Sequence, residues 1–219
     1  MASKTLSDVK NKDLLQTKGY INHAWVDAAS GATFDVINPA TLEKLATVPE
    51  MGVEEVDRAV EAAAAAFHLY KKTSSRQRAR WLRKWSDLCH ENIDDLALIM
   101  TLENGKTLTE AKGEVVYAAS FLEWFAGEAE RVHGEVIPTA NLNQRIVTIK
   151  QPLGVAACLA PWNFPAAVCD HRQDTNPKAD SSFIDDLQKS RSGIGSWMYH
   201  RLEACRRNAA ERTCSSSTG

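Results

Sequence analysis

The chain has 219 residues, 26 basic against 28 acidic, a net charge of −2 and 44% hydrophobic residues. That length suits one large domain or two small ones, and the hydrophobic share belongs to a globular chain rather than a disordered one. The near-neutral balance gives no electrostatic basis for nucleic acid as a partner, and no apolar run approaches the roughly 18 residues of a membrane span.

Residues 1–18 mix Lys4, Lys10, Lys12 and Lys18 with Asp8 and Asp13 around no central apolar block, and they lack arginine. They read as a flexible N-terminal arm rather than a secretory or mitochondrial leader. The five cysteines, Cys89, Cys158, Cys169, Cys205 and Cys214, are odd in number and in no metal-binding spacing. The expectation is a reduced, intracellular protein, cytoplasmic by default, with no metal centre.

Short strands come first. Tyr20 to Val26 brackets the turn-like pair Asn22-His23, Thr33 to Asn38 alternates Phe34 and Val36 before Pro39, and Leu45 to Val48 follows. These form a small antiparallel unit. Val53, Val56, Val60, Ala63, Ala64 and Phe67 then recur at helical spacing and define one apolar face. Ser74 or Ser75 caps a second helix, whose apolar side carries Trp81, Leu82, Trp85, Leu88 and Cys89. Asn92 marks a break before Leu96, Ile99 and Met100, and Gly105 suits a helix stop. Thr107 and Glu110 have capping-box spacing, opening a helix with Val115, Ala118, Ala119, Leu122 and Phe125 that ends near Gly134. Strand signals return at Glu135 to Thr139 and Gln144 to Lys150. Gly154 to Ala160 is an apolar run bounded by turn residues, as in buried parallel strands.

The pattern fades after about Val168. Only 15 of the last 51 residues are apolar, and the chain ends in a Ser/Thr-rich stretch. Residues 169–219 read as a divergent, disordered tail. Gly193-Ile194-Gly195 follows no strand and lacks the third glycine of a phosphate loop, and Cys214 is an incidental tail thiol.

The most specific feature is Pro161-Trp162-Asn163-Phe164-Pro165 at the end of the apolar run that follows Gln151-Pro152-Leu153-Gly154-Val155. Taken with Glu103-Asn104-Gly105-Lys106, Leu108 and Phe121 to Glu135, it resembles the aldehyde dehydrogenase superfamily. The succinate-semialdehyde dehydrogenase branch is the most similar. The resemblance covers about residues 19–168 and implies an α/β fold: the N-terminal portion of a three-layer architecture, with an incomplete Rossmann-like parallel sheet, helices and strand hairpins.

The resemblance also implies chemistry. In the family a cysteine thiolate attacks the aldehyde, hydride passes to NAD or NADP, and a glutamate activates water to release the acid. Asn163 matches the catalytic asparagine whose side-chain amide holds the developing oxyanion. Such a donor is worth roughly 10²–10³ in rate. The backbone of Leu159, Ala160, Pro161 and Trp162 matches the part that lies against the cofactor. A small aldehyde is the implied substrate. The segments that carry the family's nucleophilic cysteine and base glutamate have no counterpart in this sequence. The expectation is therefore a family member that does not turn over alone and binds NAD(P) doubtfully. The alternative is a non-catalytic interaction protein that binds full-length homologous subunits through apolar surfaces the fold leaves open.

Overall fold

The computed structural model describes residues 4–158 and 162–166. Two 3-10 turns, Leu6–Asp8 and Lys12–Leu14, precede two hairpins. The first pairs β1 (Gly19–Ile21) with β2 (Ala24–Val26), and the second pairs β3 (Thr33–Ile37) with β4 (Lys44–Pro49). Four helices follow: α1 (Val53–Tyr70), α2 (Ser75–Glu91), α3 (Ile93–Asn104) and α4 (Leu108–Glu128). A last short hairpin joins β5 (Val136–Ile137) to β6 (Ile146–Val147). Among the described residues no helix is long and apolar enough to cross a membrane.

Local chemistry accounts for these boundaries. Asn22 and His23 both take positive φ, 47° and 64°, as a two-residue primed turn requires. The turn brings Tyr20 against Trp25 with ring centroids 4.9 Å apart. The second hairpin places Phe34, Val36, Ala46 and Val48 on one face, and this face packs into the core. The Ser74 hydroxyl accepts from the Gln77 amide at 3.2 Å and starts α2. Asn92 ends α2 and begins α3, and its side chain donates to the Leu88 carbonyl at 2.9 Å. Gly105 stops α3 in the left-handed region at φ 82°.

Helix α3 is the centre of the fold. Leu96, Ala97, Leu98, Ile99, Met100 and Leu102 are all buried, so the helix is covered on nearly every side. Helix α4 lays Ala111, Val115, Ala118, Ala119 and Leu122 against it and against α2. The small side chains let α2 approach closely enough for the Ser86 hydroxyl to donate to the Ala119 carbonyl at 3.1 Å.

Several elements differ from their sequence expectations. The arm expected to be flexible over residues 1–18 is docked where it is described. Val9 and Leu14 are 1% and 2% exposed in the core, and the Lys10 and Asn11 amides donate to the two Asp95 carboxylate oxygens at 3.0 and 2.8 Å. Buried apolar anchors and two charge-assisted hydrogen bonds outweigh the entropy of ordering so short a segment. The antiparallel unit is two separate hairpins, not one sheet. Helix α1 forms as expected, yet Val53, Val56 and Val60 on its apolar face are 49%, 37% and 49% exposed. Its buried residue is Glu55, whose carboxylate accepts from the Ala29 amide at 2.9 Å and the Gly52 amide at 2.7 Å. These backbone donors, Ala29 first, hold that carboxyl below its ordinary value.

Helix α4 ends at Glu128 rather than near Gly134. The Arg131 amide closes on the Glu128 carbonyl at 2.9 Å, a tighter turn than α, and the Arg131 guanidinium also bonds the Glu128 carboxylate. The parallel strand expected over Gly154–Ala160 is absent across its described part. Residues 154–158 form no strand, and Val155 is 43% exposed. A parallel strand is stable only between neighbours that cover both faces and share its ladder, and none is present among the described residues. Leu159, Ala160 and the tail assigned to residues 169–219 lie outside the described residues.

Replacing Asp95 by Ala leaves the Lys10 and Asn11 amides without their acceptor. Asp95→Ala is expected to cost about 1–3 kcal/mol, read as a lower urea midpoint with faster exchange at both amides. An unchanged midpoint would show that the N-terminal segment is not held there.

Candidate functional site

The turn Trp162–Ala166 returns to the α3–α4 junction. The junction is built for a close approach. Gly105 in the left-handed region sets Asn104 and Lys106 on either side of a sharp corner. The Thr107 hydroxyl then accepts from the Glu110 amide at 3.3 Å, and Glu110 accepts from the Thr107 amide at 3.1 Å. The capping box starts α4 directly after Lys106. The Thr107 hydroxyl and amide also hold the Glu110 carboxyl below its ordinary value.

Three contacts fasten the turn. The Asn104 side-chain amide donates to the Trp162 carbonyl at 2.7 Å. Lys106 Nζ donates to the Asn163 carbonyl at 3.0 Å. Glu114 Oε1 accepts from the Ala166 amide at 2.8 Å. Lys106 Nζ is also ion-paired with Glu114 Oε2, so one charged pair bridges two points of the turn. The Glu114 side chain is 2% exposed and that of Lys106 14%, which makes this the most buried of the ion pairs among the described residues. The ammonium also lies 5.2 Å from the Phe164 ring centroid. Pro165 and Ala166 are buried beneath the turn, while Trp162, Asn163 and Phe164 are exposed.

Asn163, expected to be the catalytic amide, is thus described and exposed on a turn fixed through its own carbonyl. Of the four residues expected at the cofactor, only Trp162 is described, and Leu159, Ala160 and Pro161 lie outside the described residues. The structure brings Glu103-Asn104-Gly105-Lys106 to the Trp-Asn-Phe turn, two segments that the sequence joins only through resemblance. Sequence reasoning missed the roles of Lys106 and Glu114. A signal was available. Glu114 shares the buried face of α4 with Ala111, Val115 and Ala118, and a carboxylate there requires a partner.

Among the described residues Cys89 is buried and Cys158 exposed, neither in a disulfide, and no group of three or more side chains is suited to a metal ion. The aldehyde dehydrogenase family pattern matches residues 25–173. The chain belongs to the aldehyde dehydrogenase family. It is 51% identical over 160 residues to the glutarate-semialdehyde dehydrogenase of Pseudomonas aeruginosa, covering 73% of this chain and 33% of that protein. It is 50% identical over 172 residues to succinate-semialdehyde dehydrogenase (NADP+) 1 of Schizosaccharomyces pombe, covering 76% and 34%. The crystal structure of succinate-semialdehyde dehydrogenase from Burkholderia pseudomallei superposes with a TM-score of 0.77 at 42% identity, over 92% of this chain and 41% of that one. The chain therefore spans about a third of the length of the curated relatives it matches. Its helices and small sheets are an incomplete α/β portion of this dehydrogenase's fold.

Of the backbone expected against a nicotinamide dinucleotide, the described part is Trp162, whose carbonyl accepts from Asn104, and residues 154–158 form no strand. The groove between the first hairpin and α1, about 340 Å³ and lined by Ile21, Val26, Arg58 and Glu61 among others, is built from other elements than the Asn163 turn.

A Cβ on Gly105 would require a strained backbone and would meet Pro39 Cγ at 2.9 Å. Gly105→Ala is expected to lower stability by about 1–2 kcal/mol, measured by denaturant unfolding. A midpoint equal to that of the parent would show that the corner does not depend on this glycine.

Proposed function

We propose that this chain carries the oxyanion-donor element of an NAD(P)-dependent semialdehyde dehydrogenase, with a small aldehyde as the substrate of the whole protein, and that it does not oxidise aldehydes alone. The observation that carries this reading is Asn163: exposed, and mounted on a turn whose carbonyls are taken by Asn104 and Lys106. A neutral amide on a fixed backbone suits an oxyanion, because it donates without exchanging a proton and needs no reorganisation. The names of the succinate- and glutarate-semialdehyde dehydrogenase relatives support a short aldehyde that bears one carboxylate. Cys89 and Cys158, neither in a disulfide, suit a reducing, cytoplasmic setting.

The same site supports the expectation that the chain does not turn over alone. Acyl chemistry of this kind needs a thiolate beside the donor and a preorganised acceptor for hydride. Cys89 is 1% exposed in the core, where no substrate reaches it, and Cys158, though exposed, lies on a stretch without regular structure that does not fix it beside Asn163. The dinucleotide has no cradle among the described residues. A second reading, binding to full-length homologous subunits, draws support from the uncovered apolar side chains Val136, Val147 and Ile149, which are 73%, 63% and 71% exposed. Co-migration with full-length enzyme on size exclusion would favour it.

The deciding assay is formation of reduced cofactor by the purified chain with succinate semialdehyde and NAD or NADP. The expected rate equals that of buffer. Turnover abolished by Asn163→Ala would retain the donor role and refute the claim of inactivity.

A further inference from the structure

The geometry points to Lys106 and Glu114 as positioning residues for Asn163: a buried ion pair locks the donor turn to the head of α4. The inference rests on Asn163 being the oxyanion donor, while the lock itself is a property of this chain that can be measured without any aldehyde.

Neither residue touches the Asn163 side chain in the contacts described, and both act through backbone. Lys106 Nζ holds the Asn163 carbonyl at 3.0 Å and Glu114 Oε1 holds the Ala166 amide at 2.8 Å, so the pair grips the turn on both sides of Phe164 and Pro165. The ion pair closes the circuit between the two grips. Asn104 adds a third point at the Trp162 carbonyl. Charge-assisted bonds of this kind are short and directional, and fixing a carbonyl fixes the plane from which the same residue's side chain departs.

The burial of the pair decides how it responds to change. An exposed lysine and glutamate would contribute little. Here removing the ammonium leaves a carboxylate that is 2% exposed without its counter-charge, so it turns towards water. That rotation weakens its bond to Ala166. The turn then has no ionic hold, although the helices beneath it keep their own apolar packing. The preceding residues 154–158, which form no strand, supply no ladder to replace that hold.

Backbone amide exchange of the full chain, followed residue by residue by NMR, tests this directly. The set is the parent, Lys106→Met, Lys106→Arg and Glu114→Gln. In Lys106→Met the Ala166 amide is expected to exchange about tenfold faster or more, the scale of one lost charge-assisted hydrogen bond. Glu114→Gln keeps an acceptor for Ala166 but lacks the charge that holds Lys106, and its Ala166 amide is expected to accelerate as well. Lys106→Arg, which restores the cation, is expected to return the rate towards that of the parent, and Ala118 and Ala119 in α4 exchange alike in all four proteins. An unchanged Ala166 rate in Lys106→Met overturns the proposal. So does equal acceleration at Ala118 and Ala119, which would make the pair a general support of the fold. Neither outcome depends on whether Asn163 serves aldehyde chemistry, which the turnover assay addresses separately.

Discussion

A carboxylate on the buried face of a helix must be satisfied, and Glu114 is satisfied from two directions. Its oxygens take the Lys106 ammonium and the Ala166 amide, which lie 60 positions apart in sequence but meet at the head of α4. An uncompensated charge in that place would cost several kcal/mol, so the corner at Gly105 and the return of the chain at residue 166 are coupled through one side chain. The candidate site inherits its geometry from this requirement. Asn163 is itself held at its carbonyl, three residues before the hold at Ala166, and is exposed to solvent.

The same device recurs elsewhere in the chain. Asp95 on α3 accepts the Lys10 and Asn11 amides and holds the N-terminal segment. Glu55 on α1 accepts the Ala29 and Gly52 amides and ties the helix start to the loop after the first hairpin. Each carboxylate is a largely buried acceptor for backbone donors that are distant in sequence or lie outside regular structure, where they would otherwise need water. The apolar core of α2, α3 and α4 supplies cohesion, and these acceptors decide where the irregular segments attach. The turn at residues 162–166 is one such segment, and the loop after the first hairpin and the N-terminal turns are others.

The helices were legible in the sequence because their ends are written in local chemistry. Ser74, Asn92, Gly105 and Thr107 act within three or four residues of themselves, and each does in the structure what its side chain or backbone freedom implies. The Asn22-His23 turn was legible for the same reason. What the sequence could not show depends on partners far along the chain. Nothing local to Val9 or Leu14 says that they enter a core built by α3. The apolar face of α1 looks like any buried face, yet it is uncovered among the described residues. The run from Gly154 has the composition of a parallel strand, but composition cannot supply the neighbouring strands that such an element needs. At the site, family resemblance alone singled out the turn that carries Asn163, whereas the Lys106–Glu114 pair needed three dimensions. Only the oddity of a glutamate among alanines and valines hinted at it.

A helical core centred on α3, with no strand over residues 154–158, carries the described part of this chain. Native-state hydrogen exchange across the whole chain tests it most directly. The slowest exchange is expected at the core of α3, from Ala97 to Met100, with unprotected amides from Val155 to Cys158. Strand-like protection from Val155 to Cys158, or α3 exchanging as fast as the hairpins, would contradict it.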